Sequence, residues 1–221
     1  LPIAYFLRQL DDFRAGRRHS ADPRKPNTPT MIGLAQAMTD AEAREAAAYF
    51  GSIAWKPWIR VVETDLVPRT RISGNLYLPL GPDLVEPIAG RIIETPEDVL
   101  LAETFRSPRS GFIAYVPRGA IGAGKELVTT GGMTVVGDTI KQGPTTACGT
   151  CHGPDLLGVG DVPPIAGRSP SYIVRQLFDF QQGARVGTSS ELMRLVVARL
   201  SPGDMTAIAA YVASQPTSHP F

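Results

Sequence analysis

Apolar residues recur at helical spacing near the C-terminus, where Met205, Ile208, Ala209 and Val212 share one face. Ser201 stands at the N-cap, Pro202 at the first helical position and Asp204 in the capping-box place, so a helix is predicted from 202 onward. Thr39-x-x-Glu42 gives the same start signal ahead of Ala47-Ala48-Tyr49. Between these regions the pattern changes. Residues 52–118 carry short apolar pieces, among them Trp58–Val62, Leu76–Leu78, Arg91–Ile93 and Phe112–Val116, each flanked by Pro or Gly. They predict brief extended segments rather than helices. Prolines 57, 68, 79, 82, 87, 96, 108 and 117 punctuate this stretch. A structureless loop of such length is rare in a compact protein. Trp55, Trp58, Tyr77, Phe105, Phe112 and Tyr115 are also too many aromatics for a solvated linker. The segment is expected to be a strap packed across the units on either side, or alternatively a docking surface for a partner.

Those units are copies of one another. Tyr172, Arg175, Gln176, Leu177, Asp179, Phe180, Gly183 and Arg185 match Tyr5, Arg8, Gln9, Leu10, Asp12, Phe13, Gly16 and Arg18 at identical spacing. Pro164-Ile-Ala matches Pro2-Ile-Ala, and Ala209-Ala210-Tyr211 matches Ala47-Ala48-Tyr49. Met193 before Leu200-Ser201 matches Met31 before Met38-Thr39. Two departures mark the first copy. Residues matching Gly167–Ser171 are missing between Ala4 and Tyr5, and extra residues lie between Arg18 and Met31.

Composition narrows the function. The 221 residues are 43% hydrophobic and 19% charged, enough apolar content for a buried core. Lys and Arg number 22 against 21 Asp and Glu, a net charge of +1, which argues against nucleic acid as a partner. No apolar run reaches the roughly 18 residues needed to cross a bilayer. The chain opens at Leu1 rather than Met and is expected to be processed or partial.

The two cysteines decide the chemistry. Cys148 and Cys151 are followed directly by His152, and Cys-x-x-Cys-His is the attachment signature of c-type haem. Two thiols add across the porphyrin vinyl groups and the adjacent imidazole binds iron. Competing readings are weaker. A thioredoxin-like motif should sit between strand and helix, yet the flank is rich in Gly and Thr. A zinc site needs a fourth ligand, and His19 and His219 lie near the chain ends. A disulfide across two residues would be strained. For the sixth iron position Met193, Met205 and His219 are candidates. Met205 falls on the apolar face of the last helix and reads as core. Met193 is favoured because Met31 occupies the equivalent place in the other copy.

Residues 119–221 resemble a class I cytochrome c domain, and the duplication resembles the diheme cytochromes of the c4 type. Carrying the resemblance are Cys148, Cys151, His152, the Pro163-x-x-Ala-Gly167 loop, Tyr172, Arg175, Gln176, Leu177, Met193 and the Ser201–Tyr211 helix. It implies an all-α fold of two cytochrome c domains: 1–51, incomplete, and 119–221, joined by a Pro-rich, irregular and short-stranded segment over 52–118. It implies that the Pro163 carbonyl accepts the ring N–H of His152, and that Tyr172 and Arg175 serve the haem propionates. Met31, Tyr5 and Arg8 would take the same roles toward a second haem in the first domain, attached through residues missing upstream of Leu1; the alternative is a first domain that has lost its haem and remains as a packing module. The expected function is single-electron transfer on His/Met-ligated haem c in the bacterial periplasm. Expected partners are a dehydrogenase donor and an oxidase or cytochrome acceptor, with homo- or hetero-oligomers possible. The chain is expected to be a carrier rather than an enzyme. The alternatives are a cytochrome subunit of a periplasmic dehydrogenase complex, or a haem peroxidase or sensor with an open iron site.

Overall fold

A computed structural model describes residues 1–25 and 27–218. The first copy is a group of three helices, α1 (Ile3–Arg14), α2 (Asn27–Ala37) and α3 (Asp40–Ser52). The predicted capping box is present at Thr39 and Glu42, where each side chain bonds the other residue's backbone N–H. Leu10, Ala35 and Ala43 form a small core with Phe6, Leu7, Phe13 and Met38 around it.

The connecting segment folds into short strands. They are β1 (Ile59–Thr64), β2 (Leu66–Pro68), β3 (Thr70–Ser73), β4 (Leu76–Pro79), β5 (Val85–Pro87) and β6 (Ile93–Pro96), then the helix α4 (Val99–Glu103) and β7 (Phe112–Pro117). β1 and β7 run parallel with Ile59 opposite Phe112, and β6 joins β7 antiparallel to make a three-stranded sheet ordered β1-β7-β6. β2–β5 and β3–β4 are separate antiparallel pairs.

The second copy follows: α5 (Ala120–Thr130), the hairpin β8 (Thr134–Val136) and β9 (Thr139–Lys141), then α6 (Gly149–His152), α7 (Pro170–Gln181), α8 (Ser190–Val197) and α9 (Pro202–Ser214). The Ser201–Asp204 capping box opens α9 as predicted. Its core gathers Leu127, Val128, Ile173, Leu177, Phe180, Val197, Met205, Ile208 and Val212. α5 crosses α9 at Gly124, where a Cβ would collide with the Ala207 carbonyl, so only glycine permits this approach.

The architecture is therefore mixed, which corrects the all-α expectation. β-branched residues such as Val61, Val62, Ile113 and Val116 favour extended backbone between the flanking prolines. Ala114 and Val116 become fully buried. Val116, Val61 and Ile92 pack with Ala120, Ile121 and Ala210, which places the sheet on the second copy. Two carboxylates fasten it there. Glu63 Oε1 accepts the Ile121 N–H at 2.7 Å, in the first turn of α5. Glu94 accepts the Ser171 N–H at 2.8 Å and the Ser169 hydroxyl at 2.8 and 2.9 Å, at the start of α7. Negative charge at a helix N-terminus meets the unpaired N–H groups and the positive end of the dipole.

Candidate haem site and the seam between repeats

The Cys148 N–H donates to the Val128 carbonyl of α5 at 2.9 Å, which anchors the start of the motif to the core. The His152 N–H returns to the Cys148 carbonyl at 3.0 Å, so one helical turn brings Cys148, Cys151 and His152 together. Gly153 leaves that turn at φ +83°, a conformation that suits glycine. Both cysteines are free thiols, Cys148 half-buried and Cys151 exposed. Burial pushes the Cys148 thiol up to about 11.

The His152 ring settles its own tautomer. Nδ1 lies 2.8 Å from the Pro163 carbonyl oxygen, which can only accept, so Nδ1 carries the proton and Nε2 keeps a free lone pair. Burial lowers the pKa of the imidazole, outweighing the opposing effect of the Pro163 bond, and favours the neutral ligand form. A carbonyl bond of this kind orients a ligand ring and raises its basicity. Met193 lies on α8, half-buried against the same core cluster as Cys148, Leu157 and Ile165. Met205 is 2% exposed within that cluster. His219 lies outside the described residues. Two thiols, a neutral imidazole with one free nitrogen and a thioether packed on the same core are the donor types that haem c takes.

Tyr172, 36% exposed, and the exposed Arg175 lie on α7. Arg8, expected beside a propionate, pairs with Asp161 at 2.9 Å. Met31 on α2 is 38% exposed. Tyr5 lies at the junction of the two copies, its hydroxyl 3.5 Å from the Arg185 guanidinium.

The repeat's identical residues meet each other across that junction. Arg18 donates to Gln176 of the other copy at 3.0 Å, and Arg185 donates to Gln9 at 2.7 Å. Within each copy Arg18 also reaches Gln9 at 2.8 Å and Arg185 reaches Gln176 at 2.8 Å. Arg18 stacks over Phe13 and Arg185 over Phe180, again matched positions. Residues 18 and 185 form an antiparallel bridge, and the Val186 N–H bonds the Arg17 carbonyl. The sequence reading overlooked Arg18, Arg185, Gln9 and Gln176 as a contact. Their identity in both copies was the available signal.

A family pattern described as cytochrome c matches residues 137–216. Cytochrome c-554(548) of Halomonas halodenitrificans is 35% identical over 69 residues, which cover 83% of that protein and 31% of this chain. This chain belongs to the cytochrome c family. The thiosulfate dehydrogenase electron acceptor of Thiomonas intermedia is 36% identical to this cytochrome over 110 residues, 49% of the chain and 48% of that protein. The chain thus spans about half the length of that curated relative. In fold, this cytochrome resembles the reduced recombinant cytochrome c4 of Pseudomonas stutzeri, with a TM-score of 0.56 at 21% identity over 97% of this chain and 82% of that one. Among the described residues of this cytochrome no helix is long and apolar enough to cross a membrane.

Proposed function

We propose that this cytochrome carries single electrons between redox proteins of the bacterial periplasm, on a haem held by Cys148 and Cys151 and ligated by His152 and Met193. The observation that carries this reading is the His152 ring, tied through Nδ1 to Pro163 at 2.8 Å with Nε2 free. Haem supplies a one-electron ferric/ferrous couple. Cys148 and Cys151 would hold the ring, and His152 through Nε2 and Met193 through its sulfur would ligate the iron. A centre with both ligands in place would exchange electrons rather than bind a substrate. Thioether ligation raises the potential above that of a bis-His haem.

The chain is divided here into units 1–51, 52–118 and 119–221, with a second haem proposed over Met31. The outer face of α3 supports this. Ala210 is fully buried by α5, whereas its counterpart Ala48 is exposed, and Phe50 is 50% exposed where Val212 is fully buried. A helix resembling α5, carrying a further Cys-x-x-Cys-His, would cover that face. The ferric spectrum tests the main reading. A sulfur-to-iron charge-transfer band at its red end is expected, with slow binding of cyanide. Absence of the band together with immediate binding of cyanide or CO would point to a peroxidase or sensor.

A second reading makes the chain the permanent cytochrome subunit of a periplasmic dehydrogenase. Its support is the relative named a thiosulfate dehydrogenase electron acceptor, together with exposed apolar residues on the strap, including Ile72 at 72% and Phe105 at 64%. Size-exclusion of native material separates the two: a stable larger complex favours the subunit.

A further inference from the structure

One turn of the strap carries a surplus of positive charge beside exposed apolar side chains. Leu100 and Leu101 on α4 are 59% and 39% exposed, and Phe105, just beyond the helix, is 64% exposed. Arg106 and Arg109 follow in the same turn, both exposed. The acids around them are engaged. Glu103 is held by Arg71 at 2.9 and 3.0 Å and by Ser73 at 2.8 Å. Glu97 pairs with Arg60 at 3.3 Å, and Asp98 accepts the Leu101 N–H at 2.9 Å. Among the described residues neither Arg106 nor Arg109 forms an ion pair, although Arg106 lies near enough to Glu103 to act on its charge.

The turn is built rather than loose. The Phe105 N–H bonds the Leu100 carbonyl at 3.2 Å, and the Ser107 N–H bonds the Leu101 carbonyl at 3.0 Å. Arg106 stands between them at φ +50°, a left-handed conformation that strains a residue with a side chain and persists only where its surroundings hold it. Its guanidinium lies against Gly74 in the β3–β4 turn, where a Cβ would fall 2.9 Å from Nη2. Arg71 faces α4 through Glu103, so its neighbour Ile72, and Tyr77 opposite Ile72 in register, face the other side of that hairpin. The apolar surface of the turn is therefore narrow, three side chains standing out from a helix end. A protein interface of standard size takes about 800 Å² from each partner, with a packed centre. A bilayer asks for no such match of shape. Its interface admits leucine and phenylalanine at the acyl boundary, while arginine meets the lipid phosphates.

We propose that this turn is a lipid-contact site: Leu100, Leu101 and Phe105 enter the interface of an anionic bilayer, and Arg106 and Arg109 pair with its phosphate groups. Charge complementarity selects the lipid, since the surplus on the turn is positive and phosphatidylglycerol headgroups are negative. The strap then holds the cytochrome at a membrane surface while the haem-attachment motif stays on a separate unit. A few apolar side chains and two cations give weak, reversible attachment rather than insertion. Neither the ligation of the iron nor the number of haems enters this inference.

The test is co-sedimentation of the full chain, haem attached, with vesicles of phosphatidylcholine alone and of phosphatidylcholine mixed with phosphatidylglycerol, read by gel densitometry. The unaltered chain is expected to bind the mixed vesicles in preference, and to be released as salt screens its exposed charges. Arg109→Gln should weaken that binding about fivefold, and Arg109→Lys, which keeps the charge, should restore it. Phe105→Ser should weaken it about tenfold, because the ring no longer leaves water. Arg106→Gln is a third reading; since its guanidinium braces Gly74, the two other positions decide if that variant does not fold. The sulfur-to-iron band is recorded in every variant and should not move; its absence in the unaltered chain defeats the ligation reading, not this one. Equal binding of the unaltered chain to both kinds of vesicle overturns the proposal, as does an unchanged affinity in Phe105→Ser or in Arg109→Gln. A larger native complex that Phe105→Ser dissociates, with no binding to vesicles, assigns the turn to a protein partner and overturns it too.

Discussion

Replacing Glu94 tests whether the stranded segment belongs to the fold of the haem domain. Its carboxylate accepts the Ser171 N–H and the Ser169 hydroxyl, and Ser169 Oγ in turn accepts the Tyr172 N–H at 3.1 Å. Glu94→Ala removes both direct bonds and leaves the first turn of α7 short of an acceptor. Hydrogen bonds to a charged group contribute about 1.5–3 kcal/mol, and a partly buried charge at a helix N-terminus up to about 2 kcal/mol. These contributions overlap, so a loss of about 2 kcal/mol is expected, lowering Tm by about 4–8 °C in a chain of this size. Glu94→Gln keeps an acceptor oxygen but not the charge, and should lose about half as much. Urea unfolding followed by haem absorbance and by far-ultraviolet circular dichroism measures both. The two signals should move together with an unchanged m-value. If Glu94→Ala changes stability by less than about 0.5 kcal/mol, the strap is an appendage and the reasoning fails. A haem transition that stays in place while the circular-dichroism signal shifts alone would have the same meaning.

Met193→Ala should leave the haem attached, open the iron to cyanide or CO and lower the potential, as read by ligand titration and redox titration. Met205→Leu should cost less than about 1.5 kcal/mol by urea unfolding and leave the spectrum alone; control of the spectrum by Met205 would mean the repeats are misaligned. Gly124→Ala should destabilise the domain by more than about 2 kcal/mol in the same assay, since the added methyl meets the Ala207 carbonyl of α9.

Much of the second domain was legible because its determinants are local. Cys148, Cys151 and His152 are adjacent in sequence, and the capping boxes at Ser201 and Thr39 span four residues each. The strap was legible only as short extended pieces. Nothing in Trp58–Val62 says that it will pair in parallel with Phe112–Val116, because parallel pairing is fixed by what lies between and beneath the strands. Nothing local marks Glu63 and Glu94 as acceptors, since the amides they accept from lie 58 and 77 residues away. The match of Arg8 to Arg175 was legible, but its pairing with Asp161, 153 residues away, was not. A repeat alignment transfers position but not neighbours. For Arg185 the lesson is reversed: its match with Arg18 was visible, but two identical residues in one chain do not announce that their copies touch.

The crossed pairing of Arg18 with Gln176 and Arg185 with Gln9 has the logic of an isologous dimer, in which residue i meets j and j meets i. Each repeat thus carries both halves of its own interface. Separated from the first repeat, the second would expose a self-complementary patch, and two copies of it could close around a two-fold axis without any new contact being designed. The strap prevents that outcome by arithmetic alone. It keeps the cognate patch tethered within reach, so the seam inside one chain forms ahead of pairing with a free copy. The covalent tether is thereby a specificity device as well as a scaffold: it reserves the seam for its own chain.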